Sequence, residues 1–344
     1  MNLSISLGII IKNEEQRLFY LLSKLSSYFD ETIVINNQST DKSKIILQQF
    51  NSRIIDTKIN GDFSALYNLA LINCKTDYIF FIDADEDISL TDILRLIEKC
   101  KEKGDVYYFD KYNYTSAGTM FVSRLPRLLK VSKNIYYEGI VFNQINTANL
   151  KIINTNLIIH HFGFLSGYEK IKEKYLFLYN SLWNNDKKID KYYIASAYLI
   201  LNDFKNVLKW CGAGDDNLLF LKACVYLSQK DYLNADNILM SLLDTPNMSL
   251  RCDVLNRLGI SKFYQHQYSK CICFFSKALK CNSNLDYVRY NLAQVYLYVN
   301  IPVKYLEQMN HIKKNNEMFL TIKNGIIDKR DDVHFHAISD LLIF

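Results

Sequence analysis

Proline and glycine are scarce in this chain of 344 residues, which contains 3 Pro and 11 Gly. Their scarcity argues against disorder and against long linkers. Apolar residues make up 49% of the sequence and aromatic residues 14%, which is ample for a packed core. The length predicts two domains, or one domain with an appendage.

The chain also lacks cysteine pairs and long apolar runs. None of the eight cysteines forms a CxxC pair, and most lie within apolar helical patterns. This usage is typical of a cytosolic protein with reduced thiols. No apolar stretch approaches the roughly 20 residues that a membrane helix requires. The first twelve residues lack the basic start and cleavage site of a signal peptide. We therefore expect a soluble, cytoplasmic protein without a membrane span.

No strong excess of one charge is concentrated anywhere in the sequence. Residues 1–165 contain 18 basic and 18 acidic residues, and the remainder contains 23 basic and 18 acidic residues. The net charge of +5 is therefore carried by the second half. It is too dilute for a nucleic-acid surface, which needs clustered basic residues.

An apolar run, Tyr78–Ile82, is followed at once by Asp83, Asp85, Glu86 and Asp87. Such a run predicts a strand buried on both faces. Because side chains alternate along a strand, Asp83 and Asp85 leave its end on one side and can share a ligand. Carboxylate oxygens suit Mg²⁺ or Mn²⁺, and such a metal can carry a substrate diphosphate. The alternative is a solvated turn after a buried strand.

Strand and helix signals alternate through the first third of the chain. Strands are predicted over Ser4–Ile11, Glu31–Ile35 and Arg53–Asp56, with amphipathic helices between them. Asn13 and Asp62 are predicted to cap two of these helices. This alternation predicts an α/β, Rossmann-like domain with a mostly parallel sheet and a ligand crevice at the carboxyl ends of its strands. The predicted crevice residues are Asn37, Asp62 and Asp83.

Extended segments are predicted next, over residues 105–114, 119–131 and 150–160. From Tyr168 onward helical spacing replaces the strand signals. The predicted boundaries are therefore a catalytic domain over 1–165, a connecting helix over 166–190 and a helical domain over 191–344.

The helical part repeats with a period of 34 residues. Leu258-Gly259 returns as Leu292-Ala293, and Phe275 follows Gly259 where a second helix would pack its large residue. This period and its small–large interleaving resemble tetratricopeptide repeats. An ordinary helical bundle is the alternative.

Six motifs follow one another in an order that resembles a family 2 glycosyltransferase with the GT-A fold. They are Ile9–Glu14, Asn37–Asp41, Asp62–Ala65 with Asn68, Phe81–Glu86, Arg124–Leu128 and His161–Phe164. With the repeats, the chain resembles a bacterial subgroup that includes transferases acting on bacteriocin peptides.

The resemblance implies roles for individual residues. Asp85 would ligate a divalent metal that bridges the donor diphosphate, and His161 would be a second contact to the metal or diphosphate. Asp83 would contact the ribose or the donor sugar. The residues implied in nucleotide binding are Asn13, Glu14, Asn37, Asp62 and Asn68. Alternatively, His161 is a core histidine beside His160.

Three departures from the family pattern bear on the donor and on the catalytic base. Asn37 stands where the family commonly has Asp, Tyr67 where it commonly has Arg, and Phe142-Asn143 where it often has His-Glu. The last departure removes an expected acid/base pair. Glu138 and Asp110 are the candidate bases for the acceptor proton.

The resulting hypothesis is a metal-dependent, inverting transferase. It would move a hexose from a nucleotide sugar to a Ser, Thr or Cys side chain of a peptide held by the repeats. The expected donor is a UDP-sugar. A cell-surface glycan is the alternative acceptor, and a catalytically decayed scaffold protein is the alternative of another class. Exposed repeat edges would allow a homodimer.

Overall fold

The computed structural model describes residues 3–59, 61–114, 120–139, 144–165, 191–200, 202–212 and 215–313. The chain divides into two compact units, one built around a sheet and the other helical. The predicted connecting helix over 166–190 lies outside the described residues, as do Phe142 and Asn143. The predicted domain boundaries at 165 and 190 therefore stay predictions.

The strands of the sheet unit are β1 (Ile5–Ile11), β2 (Glu31–Asn37), β3 (Ser52–Thr57), β4 (Tyr78–Phe81), β5 (Glu86–Ile88), β6 (Val106–Tyr114), β7 (Met120–Lys130), β8 (Tyr137–Glu138), β9 (Gln144–Ile145) and β10 (Ile152–His161). Its helices are α1 (Glu15–Leu25), α2 (Ser43–Leu47), α3 (Phe63–Asn73) and α4 (Leu90–Lys99).

Eight strands form one sheet in the order β3-β2-β1-β4-β7-β6-β10-β5, and β8 pairs with β9 separately. The pairs β1–β2, β2–β3, β1–β4 and β6–β10 are parallel. The pairs β4–β7 and β5–β10 are antiparallel. The predicted α/β unit with a mostly parallel sheet is confirmed, because strands joined through crossover helices pair in parallel.

The core of the sheet unit lies on both faces of the central strands. Leu7, Ile9 and Phe80 belong to one buried cluster, while Ile79 and Phe81 belong to the other. Strands buried on both faces have nearly continuous apolar sequences, which is why the short runs in β1 and β4 were readable in the sequence.

Two features of the sheet unit differ from the sequence prediction. The N-cap of α1 is Glu14, whose side chain forms no cap hydrogen bond, so the cap predicted at Asn13 is wrong. Asn13 adopts a positive φ of 59° and accepts a hydrogen bond from the Thr40 amide at 2.7 Å, which joins two loops instead. The short strand β5 was not predicted, since three residues carry too little periodicity to read.

The helical unit contains α5 (Lys191–Ile200), α6 (Phe204–Trp210), α7 (Asp216–Ser228), α8 (Tyr232–Ser241), α9 (Met248–Tyr264), α10 (Tyr268–Cys281) and α11 (Asp286–Tyr298). A Cβ on Gly259 of α9 would meet the Phe275 ring of α10 at 2.6 Å. The two helices therefore meet at the small and large residues that the repeat pattern predicted. Among the described residues, no helix has both the length and the apolar character needed to cross a membrane.

Candidate active site

The acidic turn after β4 is closed by hydrogen bonds between Asp83 and Glu86. β4 ends at Phe81 and β5 begins at Glu86, so Asp83 and Asp85 lie in the connection. The Glu86 amide donates to the Asp83 carbonyl at 3.0 Å, and the Asp83 amide donates to Glu86 Oε2 at 2.9 Å. These two bonds close a tight turn that projects several carboxylates from the middle of the sheet.

Asp83 is held by one arginine and one tyrosine. Arg127 Nη2 donates to Asp83 Oδ2 at 3.1 Å, and the Tyr67 hydroxyl donates to Oδ1, also at 3.1 Å. Burial would raise the pKa of Asp83, but Arg127 and then Lys111 outweigh it and hold that pKa well below its usual range. Its side chain remains 33% exposed, so this carboxylate is ionised, oriented and open to a ligand.

Glu86 neutralises the cations beneath this turn. Its side chain is fully buried and forms ion pairs with Arg127 and with Lys111, the latter at 3.0 Å. Burial alone would lower the pKa of Arg127, yet the charges of Glu86 and Asp83 raise it above its ordinary value. A buried charge is tolerated only when it is paired and hydrogen-bonded, and here each partner supplies that compensation.

Asp85 faces a different set of groups from Asp83. His161 Nε2 lies 3.4 Å from Asp85 Oδ2, and Arg17 Nη1 lies 4.0 Å from the same oxygen. The Phe162 amide donates to the Asp85 carbonyl at 2.9 Å. The antiparallel pairing of β5 with β10, in which Glu86 lies opposite His161, brings these groups together.

Gly163 leaves room for this pair. A Cβ at that position would lie 2.6 Å from His161 Nε2 and would also collide with Asp85 Oδ2. Side-chain atoms essentially never approach so closely, so any larger residue would displace one of the two groups. The third residue of the His-aromatic-Gly-aromatic motif is therefore required by the site itself.

The two adjacent histidines have different surroundings. His160 is buried against Tyr114, whose hydroxyl lies 2.7 Å from its Nδ1, and burial followed by the charge of Lys24 lowers its pKa to about 3. Burial, and after it the charge of Lys111, also lowers the pKa of His161, although Asp85 opposes this shift. His160 therefore belongs to the core, whereas His161 presents a neutral imidazole to a carboxylate.

The Asp85–His161 pair fits a divalent cation. Mg²⁺ sites commonly use one or two protein ligands and complete their shell with water and substrate phosphates. Among the described residues, no group of three or more His, Cys, Asp or Glu side chains could hold a metal without such help. The donor set is compatible with a cation that arrives with a phosphorylated ligand, and the metal roles of Asp85 and His161 stay predictions.

Four residues predicted to bind the nucleotide use their side chains for hydrogen bonds to the protein backbone. Asn13 holds Thr40, and the Asn37 amide group exchanges two hydrogen bonds with the Ile59 backbone, at 2.9 and 3.1 Å. The Asp62 side chain accepts from the Ala65 amide and caps α3, as predicted. Asn68 exchanges two hydrogen bonds with the Tyr137 backbone. Their backbones shape the loops, and nucleotide contact stays a prediction for each.

Glu14 also lies in these loops, and its amide donates to Ser43 Oγ at 2.9 Å. Its contact with a nucleotide stays a prediction as well.

The two candidate bases are placed differently. Asp110 forms an ion pair with Arg124, with Nε to Oδ1 at 2.8 Å and Nη2 to Oδ1 at 2.7 Å. Both contacts go to Oδ1, so the Arg124 guanidinium occupies this oxygen of Asp110. Glu138 is exposed on β8, beside Tyr136. The base assignment stays a prediction, and exposure favours Glu138 over Asp110.

Several residues of the site were missing from the predicted set, among them Arg127, Lys111 and Asn113. Arg127 was visible within the Arg124–Leu128 motif, but a solvated strand face was an equally good interpretation of it. Lys111 and Asn113 carried no local signal, because both read as ordinary residues of a strand. Only the pairing of β6 with β10 brings Asn113 level with His161.

Residues 6–170 match the family model described as Glycosyl transferase family 2. This part of the chain is therefore similar to family 2 glycosyltransferase domains. The predicted GT-A fold is therefore confirmed for the sheet unit, and the helical region follows it in the chain as expected.

Two curated proteins and one solved structure are similar to parts of the chain. A TPR repeat-containing protein of Synechococcus elongatus is 28% identical over 134 residues, which are 39% of this chain and 33% of the relative. The SPbeta prophage-derived glycosyltransferase SunS of Bacillus subtilis is 27% identical over 183 residues, 50% of this chain and 42% of the relative. Glucosyl-3-phosphoglycerate synthase of Mycobacterium tuberculosis aligns with a TM-score of 0.29 at 18% identity, over 32% of this chain and 44% of that chain. The chain thus spans less than half of the curated relatives that it matches.

Proposed function

We propose that this protein transfers a hexose from a nucleotide sugar, UDP-linked by preference, with Mg²⁺ or Mn²⁺ as the required cation. The family 2 domain supports glycosyl transfer. The observation that carries the metal dependence is the Asp85–His161 pair at 3.4 Å, together with the Gly163 position that no Cβ can occupy. Carboxylate and imidazole groups at this distance match the ligand spacing of one small cation.

The residues of the turn would divide the work between metal and sugar. Asp85 and His161 would hold the cation, which when bound stabilises the charge developing on the departing nucleotide diphosphate. Asp83 is oriented by Arg127 and Tyr67, and its exposed oxygen surface would accept hydrogen bonds from ribose or sugar hydroxyls. Holding such a group in place before the substrate arrives lowers the cost of ordering the transition state.

The acceptor we propose is a Ser, Thr or Cys side chain of a peptide that the helical repeats bind. Stacked helical hairpins build extended surfaces suited to peptides. The similarity to SunS extends over half of this chain, which is more than the first few motifs. Glu138 would take the acceptor proton. A cysteine acceptor would lessen the need for a strong base, because its thiol ionises near pH 8.5.

The test is donor turnover with a panel of UDP-, GDP- and dTDP-hexoses, with Mn²⁺, with Mg²⁺ and with a chelator. Peptides that contain Ser, Thr or Cys and a set of oligosaccharides serve as acceptors, and mass spectrometry identifies the product. We expect metal-dependent release of UDP and a hexose added to a peptide.

Each other outcome corrects a different part of the proposal. Sugar transfer only to oligosaccharides would replace the peptide acceptor, and full turnover with chelator would remove the metal. If no nucleotide sugar binds with any cation, the scaffold alternative replaces the enzyme. Elution volume in size-exclusion chromatography tests the homodimer that exposed repeat edges would allow.

A further inference from the structure

Asn113 lies directly beside the imidazole of His161. The two residues are register partners in the parallel pairing of β6 with β10, and both are almost fully buried. His161 Nδ1 lies 2.8 Å from Asn113 Oδ1. Which of the two imidazole nitrogens carries the proton therefore depends on which end of the Asn113 amide faces the ring.

Two further contacts determine the orientation of that amide. Asn113 Nδ2 donates to the Lys111 carbonyl at 3.1 Å and to Ser123 Oγ at 3.1 Å. A backbone carbonyl can only accept, so the amide nitrogen must stay on its side. The amide oxygen is therefore the atom that faces His161, and it can only accept a hydrogen bond.

We propose that Asn113 is a positioning residue, which fixes His161 as the Nδ1–H tautomer so that the Nε2 lone pair points toward Asp85. The inference rests on the proposed metal-dependent function. Metal-binding histidines usually donate their other N–H to an outer acceptor, which fixes the ring and raises its basicity. An amide supplies that acceptor without adding another negative charge to a turn that already carries several carboxylates.

The first measurement uses no metal and no substrate. The protein is labelled with ¹⁵N-histidine, and the nitrogen shifts of the imidazoles report the tautomer of each ring. The chain has six histidines, and His161→Gln assigns the signal by its loss. We expect the Nδ1–H tautomer at His161 in the native protein. An Nε2–H tautomer there would overturn the proposal whatever the enzyme does.

The second measurement compares Mn²⁺ affinities of variants. Asn113→Leu keeps the approximate volume but removes the acceptor, and we expect Mn²⁺ binding to weaken by about 10- to 100-fold with loss of the tautomer preference. Asn113→Asp restores an acceptor for Nδ1 but loses the donor to the Lys111 carbonyl. Its affinity should therefore lie between the Leu variant and the native protein.

Asn291→Leu is the matched control, since Asn291 is equally buried and bonds to Asn256 in the helical unit at 3.0 Å. It should change neither the His161 signal nor Mn²⁺ affinity. The proposal fails if Asn113→Leu keeps both the tautomer and the native affinity, or if Asn113→Asp binds Mn²⁺ no better than Asn113→Leu.

The proposed function and this inference can fail separately. A native protein that shows the Nδ1–H tautomer but binds no Mn²⁺ would refute the metal and retain the orientation of the ring. A native protein that transfers sugar with Mn²⁺ but shows the Nε2–H tautomer at His161 would retain the metal-dependent function and refute the role of Asn113. If Asn113→Leu does not fold, the native spectrum and the Asp variant still decide the question.

Discussion

Gly163 in the sheet unit and Gly259 in the helical unit both stand where a Cβ would collide with a neighbour. At Gly163 the neighbours are the polar atoms of Asp85 and His161, whereas at Gly259 the neighbour is the buried ring of Phe275. The sequence shows the same residue at both places. Only the neighbouring atoms reveal that the first glycine makes room for two polar side chains and the second for helix packing.

The largest effect should follow from removing the Asp85 carboxylate, which lies beside Gly163 and is the proposed metal ligand. Asp85→Ala should reduce metal-dependent sugar transfer by about 100- to 1,000-fold, because stabilisation of the developing charge is usually the largest catalytic contribution. Initial rates of nucleotide diphosphate release measure it, and circular dichroism monitors the fold.

Asp92→Asn is the matched control for that change. Asp92 lies in the first turn of α4, and its side chain pairs with Arg95, so native transfer rates are expected. If Asp85→Ala transfers sugar as fast as the Asp92 variant, the assignment of the turn as a catalytic site is wrong.

Gly163→Ala tests the spacing of Asp85 and His161 without removing either side chain. The new methyl group should separate Asp85 from His161 and lower both Mn²⁺ affinity and turnover by about 10- to 100-fold. Thermal unfolding should change little, because the collision involves atoms at the edge of the site. Native Mn²⁺ affinity in this variant would show that the two groups do not bind one cation.

Gly259→Ala tests how tightly Gly259 packs against the Phe275 ring in the helical unit. Overpacking a core costs about 1–3 kcal/mol, and the better helix propensity of alanine returns about 1 kcal/mol. We expect a net loss of about 1 kcal/mol in the free energy of unfolding, measured by urea denaturation, with Mn²⁺ affinity unchanged.

Gly212→Ala is the companion variant, since a Cβ there would meet no atom within 4 Å. It should unfold at the native urea concentration. Equal stability of the Gly259 and Gly212 variants would mean that the contact with Phe275 is not tight.

An effect about as small as that of Gly259→Ala is expected at Asp62, where variants distinguish a helix-capping role from a nucleotide contact. Asp62→Ala should cost about 1 kcal/mol of stability through loss of the α3 cap, whereas Asp62→Asn should retain the cap. Urea denaturation and UDP titration are measured on both. A loss of UDP affinity in the stable Asn variant would establish the nucleotide contact, and native affinity would leave Asp62 as a cap alone.

The sequence predicted strands and helices best where burial imposes a strict pattern. β1 and β4 were readable because both faces of these strands are buried, and Asp62 because a helix cap needs a short polar side chain. Asn13 was misread, since the same residue type also serves loop positions with positive φ. The strand β5 gave no signal, because its formation depends on pairing with β10.

By itself, the sequence indicated the resemblance to family 2 glycosyltransferases through the order of its motifs, the acidic turn with Asp83 and Asp85, and the repeats through their 34-residue period. The tertiary structure alone decided which charges meet. It paired Arg127 and Lys111 with Glu86, and it brought Asn113 level with His161. The physical reason is that periodicity and capping act within a few residues, whereas ion pairs and ring orientation depend on strands that are adjacent in the sheet but distant in the chain.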